Sequence, residues 1–123
     1  MVPPRTVAEH VADASHAGAL DGATLDGLAA GSSRLVVRLG LWVEPDGRVS
    51  RACYRATTCA SLIAYAEAAC GLVEAGEDPA RLDASRLRAV VAGVHPAHHD
   101  RADLVALALS RALARPPRPG ANP

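Results

Sequence analysis

Lysine, phenylalanine and glutamine are missing from this chain of 123 residues, and the aromatic residues come down to one Trp and two Tyr. Without lysine, all 13 basic side chains are arginines, and 13 acidic side chains cancel them. A formal charge of zero argues against a nucleic-acid binder that works through general charge. Without bulky aromatics, the core must be built from Ala, Val and Leu and must pack closely, because few large side chains exist to fill gaps. Cysteine is scarce as well: Cys53, Cys59 and Cys70 are an odd set at irregular spacing, which describes no disulfide framework and points to reduced thiols. Charges or prolines interrupt every apolar stretch before it reaches the length of a membrane-spanning helix. The opening MVPPRTVAEH lacks a basic segment followed by an apolar run, so no secretory signal is expected. These absences together predict a cytoplasmic protein without membrane or nucleic-acid partners.

What is abundant is alanine, 27 residues of it, within a composition that is 50% hydrophobic and 21% charged. That balance is globular rather than disordered, and the length suits a single domain. The domain is expected over residues 1–115, followed by a disordered proline-rich tail, 116–123.

Hydrophobic spacing organises the chain. Val7, Ala8, Val11 and Ala12 recur at helical intervals within 5–15, so a short helix opens the domain. Residues 16–33, rich in Gly, Ala, Asp and Ser, read mostly as loop. From Leu35 the pattern alternates, with Leu35, Val37, Leu39, Leu41 and Val43 on one face and Val36, Arg38, Gly40, Trp42 and Glu44 on the other. Glu44-Pro45-Asp46-Gly47 is a turn, and a second strand follows, giving a β-hairpin of about 34–44 and 48–57. Ala52, Tyr54 and Ala56 are its inward set, which places Cys53 on the outer face between two arginines. Thr57-Thr58 is expected to cap a helix from about Cys59 to Val73, whose stripe Leu62, Ala66, Ala69 and Val73 faces the core. Gly76 ends it. Asp78-Pro79 begins a short helical piece, and Asp83 caps another that runs through Leu87, Val90 and Val91 to Gly93. A last helix, about 100–115, carries Asp100 and Asp103 at its start and Arg111 and Arg115 at its end, an order that complements the helix dipole. The expected fold class is α+β, a small antiparallel sheet with helices on one face.

Chemistry centres on Cys59. It follows a strand and stands at a helix start, where free backbone N–H groups favour the thiolate needed for metal ligation, sulfur acceptance or disulfide exchange. The bland reading, a small residue filling a helix start, competes with it. Cys70, on the flank of the same helix, reads as a buried hydrophobe. His95-Pro96-Ala97-His98-His99-Asp100 supplies imidazoles and a carboxylate that suit zinc or iron, and Cys59 adds a sulfur ligand if the loops meet. The alternative for that segment is a solvated loop in which His99 or Asp100 caps the last helix. No phosphate-binding Gly-rich loop, serine nucleophile elbow or paired-carboxylate acid–base site is present, and no enzymatic activity is expected.

The segment VEPDGRVSRACYRATTCASLIAYAEA, residues 43–68, resembles the central part of the IscU and NifU N-terminal family of iron–sulfur cluster assembly scaffolds. Tyr54-Arg55 stands at that family's aromatic-basic pair, Cys59 at its loop cysteine and Ser61 at the serine that follows. Weaker similarity spans roughly residues 7–114. The resemblance implies an IscU/SufE-like fold, a role in iron, sulfur or zinc handling, and a cysteine desulfurase or other assembly proteins as partners. It departs from the family at the other cluster ligands. The first cysteine position falls on Ser33, the nearby Asp position on Leu35, and the final His-Cys pair near Asp100 and Arg101. Three readings follow. A diverged scaffold would hold an iron–sulfur cluster or zinc with Cys59 and His98, His99 or Asp100, or share a site across a homodimer. A SufE-like protein would accept a persulfide on Cys59 alone. An interaction module would have kept the fold and lost the chemistry, with no cofactor. One thiolate with imidazoles and a carboxylate suits zinc better than a cluster.

Overall fold

The computed structural model describes residues 4–32 and 34–114. A two-residue strand, β1 (Arg5–Thr6), leads into α1 (Val7–Ala12), then β2 (Leu25–Ala30), β3 (Val36–Val43) and β4 (Val49–Ala56). Helix α2 (Ala60–Glu74), α3 (Ala84–Val90), the short strand β5 (Val91–Ala92) and α4 (Arg101–Ala114) complete the order. Single 3-10 turns at Pro79–Arg81 and Pro96–His98 precede α3 and α4. The architecture is α+β, with β2-β3-β4 forming an antiparallel sheet and β1 pairing with β5 in parallel.

The hairpin forms where the alternation places it, and the tertiary register pairs Leu39 with Tyr54 and Leu41 with Ala52. Val37, Leu39, Leu41, Ala52 and Tyr54 are all buried against the helices. At the turn, the Gly47 N–H donates to the Glu44 carbonyl at 2.8 Å, and Gly47 takes φ 90°, which its missing Cβ permits.

Two expectations change. The stretch 16–33 is loop only outside β2, which lies within it and pairs along its length with β3. Composition hid this strand, since Gly27 looks like a loop residue but is required by packing. A Cβ there would sit 2.1 Å from the Ala108 carbonyl oxygen of α4, so only glycine lets the helix lie this close. The helix expected to run from Asp83 to Gly93 stops at Val90, and Val91–Ala92 instead pairs with Arg5–Thr6. Both segments are too short for sequence periodicity to reveal a pairing made across the whole chain.

Helix α1 forms with a reciprocal cap, in which the Thr6 hydroxyl accepts from Glu9 N–H and the Glu9 carboxylate accepts from Thr6 N–H. Its inward residue is His10, while Val11 is 39% exposed. Helix α2 buries far more than one stripe, including Ser61, Ala64, Tyr65, Glu67, Ala68 and Cys70 beside the expected Leu62, Ala66, Ala69 and Val73. It is the central helix, packed against β4 and flanked by α1, α3 and α4. Cys53 is buried even though it faces away from the helices. Its cross-strand partner Gly40 lies beneath Leu20 and Ala23, which fold over that part of the sheet. The tail 116–123 and Arg115 lie outside the described residues. No described helix is long and apolar enough to cross a membrane.

Candidate functional site

Cys59 is itself the N-cap of α2, with extended backbone and its carbonyl accepting from Ile63 N–H at 2.9 Å. The expected cap, Thr57-Thr58, is displaced because Thr57 Oγ1 accepts from Val36 N–H at 3.1 Å and so ties the strand end instead. The Cys59 side chain makes no capping hydrogen bond and is half-buried. Its sulfur is therefore left for other contacts.

The segment before α4 comes to this helix start through two contacts. Ser61 Oγ lies 3.1 Å from His98 Nδ1. Arg101 donates to Asp100 Oδ1 at 2.7 Å, and the Cys59 thiol is near enough to its guanidinium to act on it electrostatically. The Asp100 hydrogen bond first and the Cys59 contact second hold Arg101 above the ordinary arginine range. The same arginine holds the Asp100 carboxyl below the ordinary carboxylate range. Arg101 Nε is buried without a hydrogen-bond partner among the described residues. Its fork thus has one arm on a carboxylate and a spare donor on the side chain that lies near the thiol.

The remaining expected residues are placed differently. His95 caps the Pro96–His98 turn, its Nδ1 accepting from Ala97 N–H at 3.0 Å, and its ring lies 5.7 Å from that of His98. His99 is exposed, and its hydrogen bonds are made by its backbone, the carbonyl accepting from Arg88 and from Ala102 N–H. Among the described residues no group of three or more His, Cys, Asp or Glu side chains is arranged to hold a metal ion. Of the residues expected to ligate a metal, Asp100 bonds Arg101 through Oδ1 and His98 lies against Ser61 through Nδ1. Ser33 lies outside the described residues, and Leu35 packs against the core.

Sequence reasoning missed the Ser61–His98 contact and the approach of Arg101 to Cys59. No local spacing announces either, although Arg101 had drawn notice as the residue standing where the resemblance expects a cysteine. A second polar cluster escaped notice altogether. His16 N–H donates to Glu67 Oε1 at 3.0 Å, its Nδ1 meets the other Glu67 oxygen, and its Nε2 lies 2.9 Å from Glu74 Oε1. Burial works against the His16 imidazolium, but the hydrogen bonds to Glu67 and Glu74 outweigh it and raise its pKa. Glu74 also accepts from Ala52 N–H at 2.8 Å, so the cluster joins the α1–β2 connection, α2 and β4. The signal in the sequence was Glu67, an acid in the middle of an otherwise apolar helix that ends at Glu74. Compared with known proteins, the chain matches no family model and no curated sequence.

Proposed function

We propose that this protein handles sulfur in iron–sulfur cluster assembly, as a diverged relative of the scaffold family in which Cys59 carries a persulfide received from a cysteine desulfurase. The observation that carries this reading is Arg101, whose Nε is buried without a partner and whose guanidinium lies near enough to the Cys59 thiol to feel its charge. A buried, unpaired donor beside a thiol suits a sulfur anion, because a charged acceptor satisfies it better than a neutral one. The arrangement of residues 43–68 agrees with this: a turn at Gly47, Tyr54-Arg55 near the end of β4, and Cys59 opening α2.

The transfer is an exchange between sulfurs. The Cys59 thiolate attacks the outer sulfur of the donor's persulfide, and a new S–S bond forms on Cys59 as the donor's S–S bond breaks. The donor's inner sulfur leaves as a thiolate with the bonding electron pair. One S–S bond replaces another, so neither oxidant nor reductant is consumed. Arg101 holds the negative sulfur before and after transfer. A scaffold reading, with zinc or a cluster on Cys59 and His98, His99 or Asp100, has less support because two of those donors are already engaged within the chain.

The test is to incubate the full chain with a cysteine desulfurase and radiolabelled cysteine, then map the label by peptide mass spectrometry. Label is expected on Cys59, absent in Cys59→Ser and reduced in Arg101→Gln. Label confined to Cys53 or Cys70, or no label at all, overturns the proposal. A stoichiometric iron–sulfur chromophore on the monomer after anaerobic reconstitution, dependent on Cys59, would instead establish the scaffold reading.

A further inference from the structure

The sheet face turned away from the helices carries an uneven distribution of charge. One cross-strand rung runs Leu28, Arg38, Arg55 across β2, β3 and β4. Two places further along, Arg51 lies opposite Trp42, its guanidinium carbon 4.7 Å from the ring centroid. Between them, the middle rung of Asp26, Gly40 and Cys53 is roofed by Leu20 and Ala23, which approach Gly40 closely. A chain of zero net charge therefore gathers three arginines on one sheet face, against the single acid Asp26.

Arg38 and Arg55 are directly opposed, an arrangement of like charges that destabilises a sheet. Asp26 bonds the Arg38 guanidinium through Nε at 3.0 Å and through a terminal nitrogen. The exposed Arg55 side chain makes no hydrogen bond or ion pair among the described residues. Beside this pair, on the same rung, Leu28 is 47% exposed. An arginine fork without a partner, a second arginine next to it and an adjoining apolar side chain form a small mixed patch, and arginine is the charged residue enriched at interface centres.

We infer that the Leu28–Arg38–Arg55 rung is a docking surface for an acidic segment of a partner protein, one that presents a carboxylate to Arg55 and an apolar residue to Leu28. The carboxylate supplies the counter-charge that Asp26 gives Arg38 and that Arg55 lacks. A carboxylate fits better than a nucleic-acid backbone, because the patch is short, holds an apolar member, and belongs to a chain without net positive charge. This inference is independent of the sulfur reading.

Fluorescence anisotropy of the full chain with a labelled peptide of alternating Glu and Leu tests it. A Gln–Leu peptide and a thymidine oligonucleotide of equal length serve as the comparisons. The Glu–Leu peptide is expected to bind saturably, and Arg55→Glu to weaken it about tenfold or more, while Arg48→Ser at the hairpin turn leaves it within about twofold. Arg55→Glu is also expected to raise the melting temperature, since an Arg–Glu pair replaces two opposed arginines. A merely structural Arg55 would do the reverse. Equal weakening by Arg48→Ser, tighter binding of the oligonucleotide, absence of saturable binding, or a lower melting temperature for Arg55→Glu overturns the proposal.

Discussion

Cys59 and Cys70 belong to the same helix and meet opposite surroundings. Cys59 is half-buried at the N-cap, beside a guanidinium with a spare donor. Cys70 is sealed in the core, where burial first and the nearby Glu67 second push its thiol well above the usual range. The same division separates the polar groups. At the start of α2 they are contacts made by the segment before α4 around a half-exposed sulfur. In its middle they are a closed cluster, in which Glu67 is 4% exposed and spends its oxygens on His16 and Ser15. The difference teaches that one helix presents a thiol for chemistry at its end and uses buried charge to lock connections along its length.

The largest effect expected from this contrast is in thiol reactivity. Alkylation at neutral pH, followed by peptide mapping, should modify Cys59 on the order of 100-fold faster than Cys70, because a thiol buried among apolar groups and acids is inert. Faster labelling of Cys70 would reverse the roles assigned to the two ends. Arg101→Gln should slow Cys59 labelling and leave Cys70 unchanged, and equal slowing of both would mean that Arg101 acts only through the fold.

Next in size is the closed cluster. Glu67→Ala leaves His16 N–H, His16 Nδ1 and Ser15 without their Glu67 acceptor, and urea denaturation should show a loss of about 2–4 kcal/mol. The contrast sharpens if Ser61→Ala, which removes one half-buried contact to His98, costs only about 1 kcal/mol in the same measurement. Equal losses would remove the distinction between the two regions.

Two histidines should divide the pH dependence of stability between them. His16 has a raised pKa in the folded state, so the stability it contributes is fully present below the unfolded value of 6.5 and is lost as pH rises through its folded pKa. His10 is lowered, by burial first and then by Arg5, so its contribution is present above 6.5 and is lost as pH falls toward its folded pKa. Stability measured against pH should therefore decline on both sides, with His16→Gln flattening the alkaline limb and His10→Gln the acidic one. A His16→Gln variant that flattens only the acidic limb would contradict the ion-pair geometry. An effect as small as that of Ser61→Ala belongs to α1, where Thr6→Ala removes the reciprocal cap and should cost about 1 kcal/mol by thermal or chemical melting.

Legibility from sequence followed the range of the interactions. Strands β3 and β4, their turn, the capped starts at Asp78 and Asp83, and the bulk of α2 and α4 all rest on contacts within a few residues, and all were readable. β2 was not, because its strand character depends on pairing with β3 and on α4 lying against Gly27. The candidate site divides the same way. Cys59 at a helix start could be read from its neighbours. Ser61 with His98, and Arg101 with Cys59, bring together residues about forty apart, which no local pattern encodes.

By itself, the sequence determined the α+β class, the inward faces of the hairpin and the position of Cys59 at the start of a helix. Alternation, helical spacing and turn chemistry act over neighbouring residues and need nothing from the rest of the chain. Only the tertiary structure decided that a third strand would form, that Asp100 and His98 would be engaged by Arg101 and Ser61, and that two arginines would face each other across the sheet. These outcomes depend on which distant surfaces meet when the alanine-rich core closes. With few large side chains to fill gaps, that closure is set by close backbone approach, as where α4 rests on Gly27.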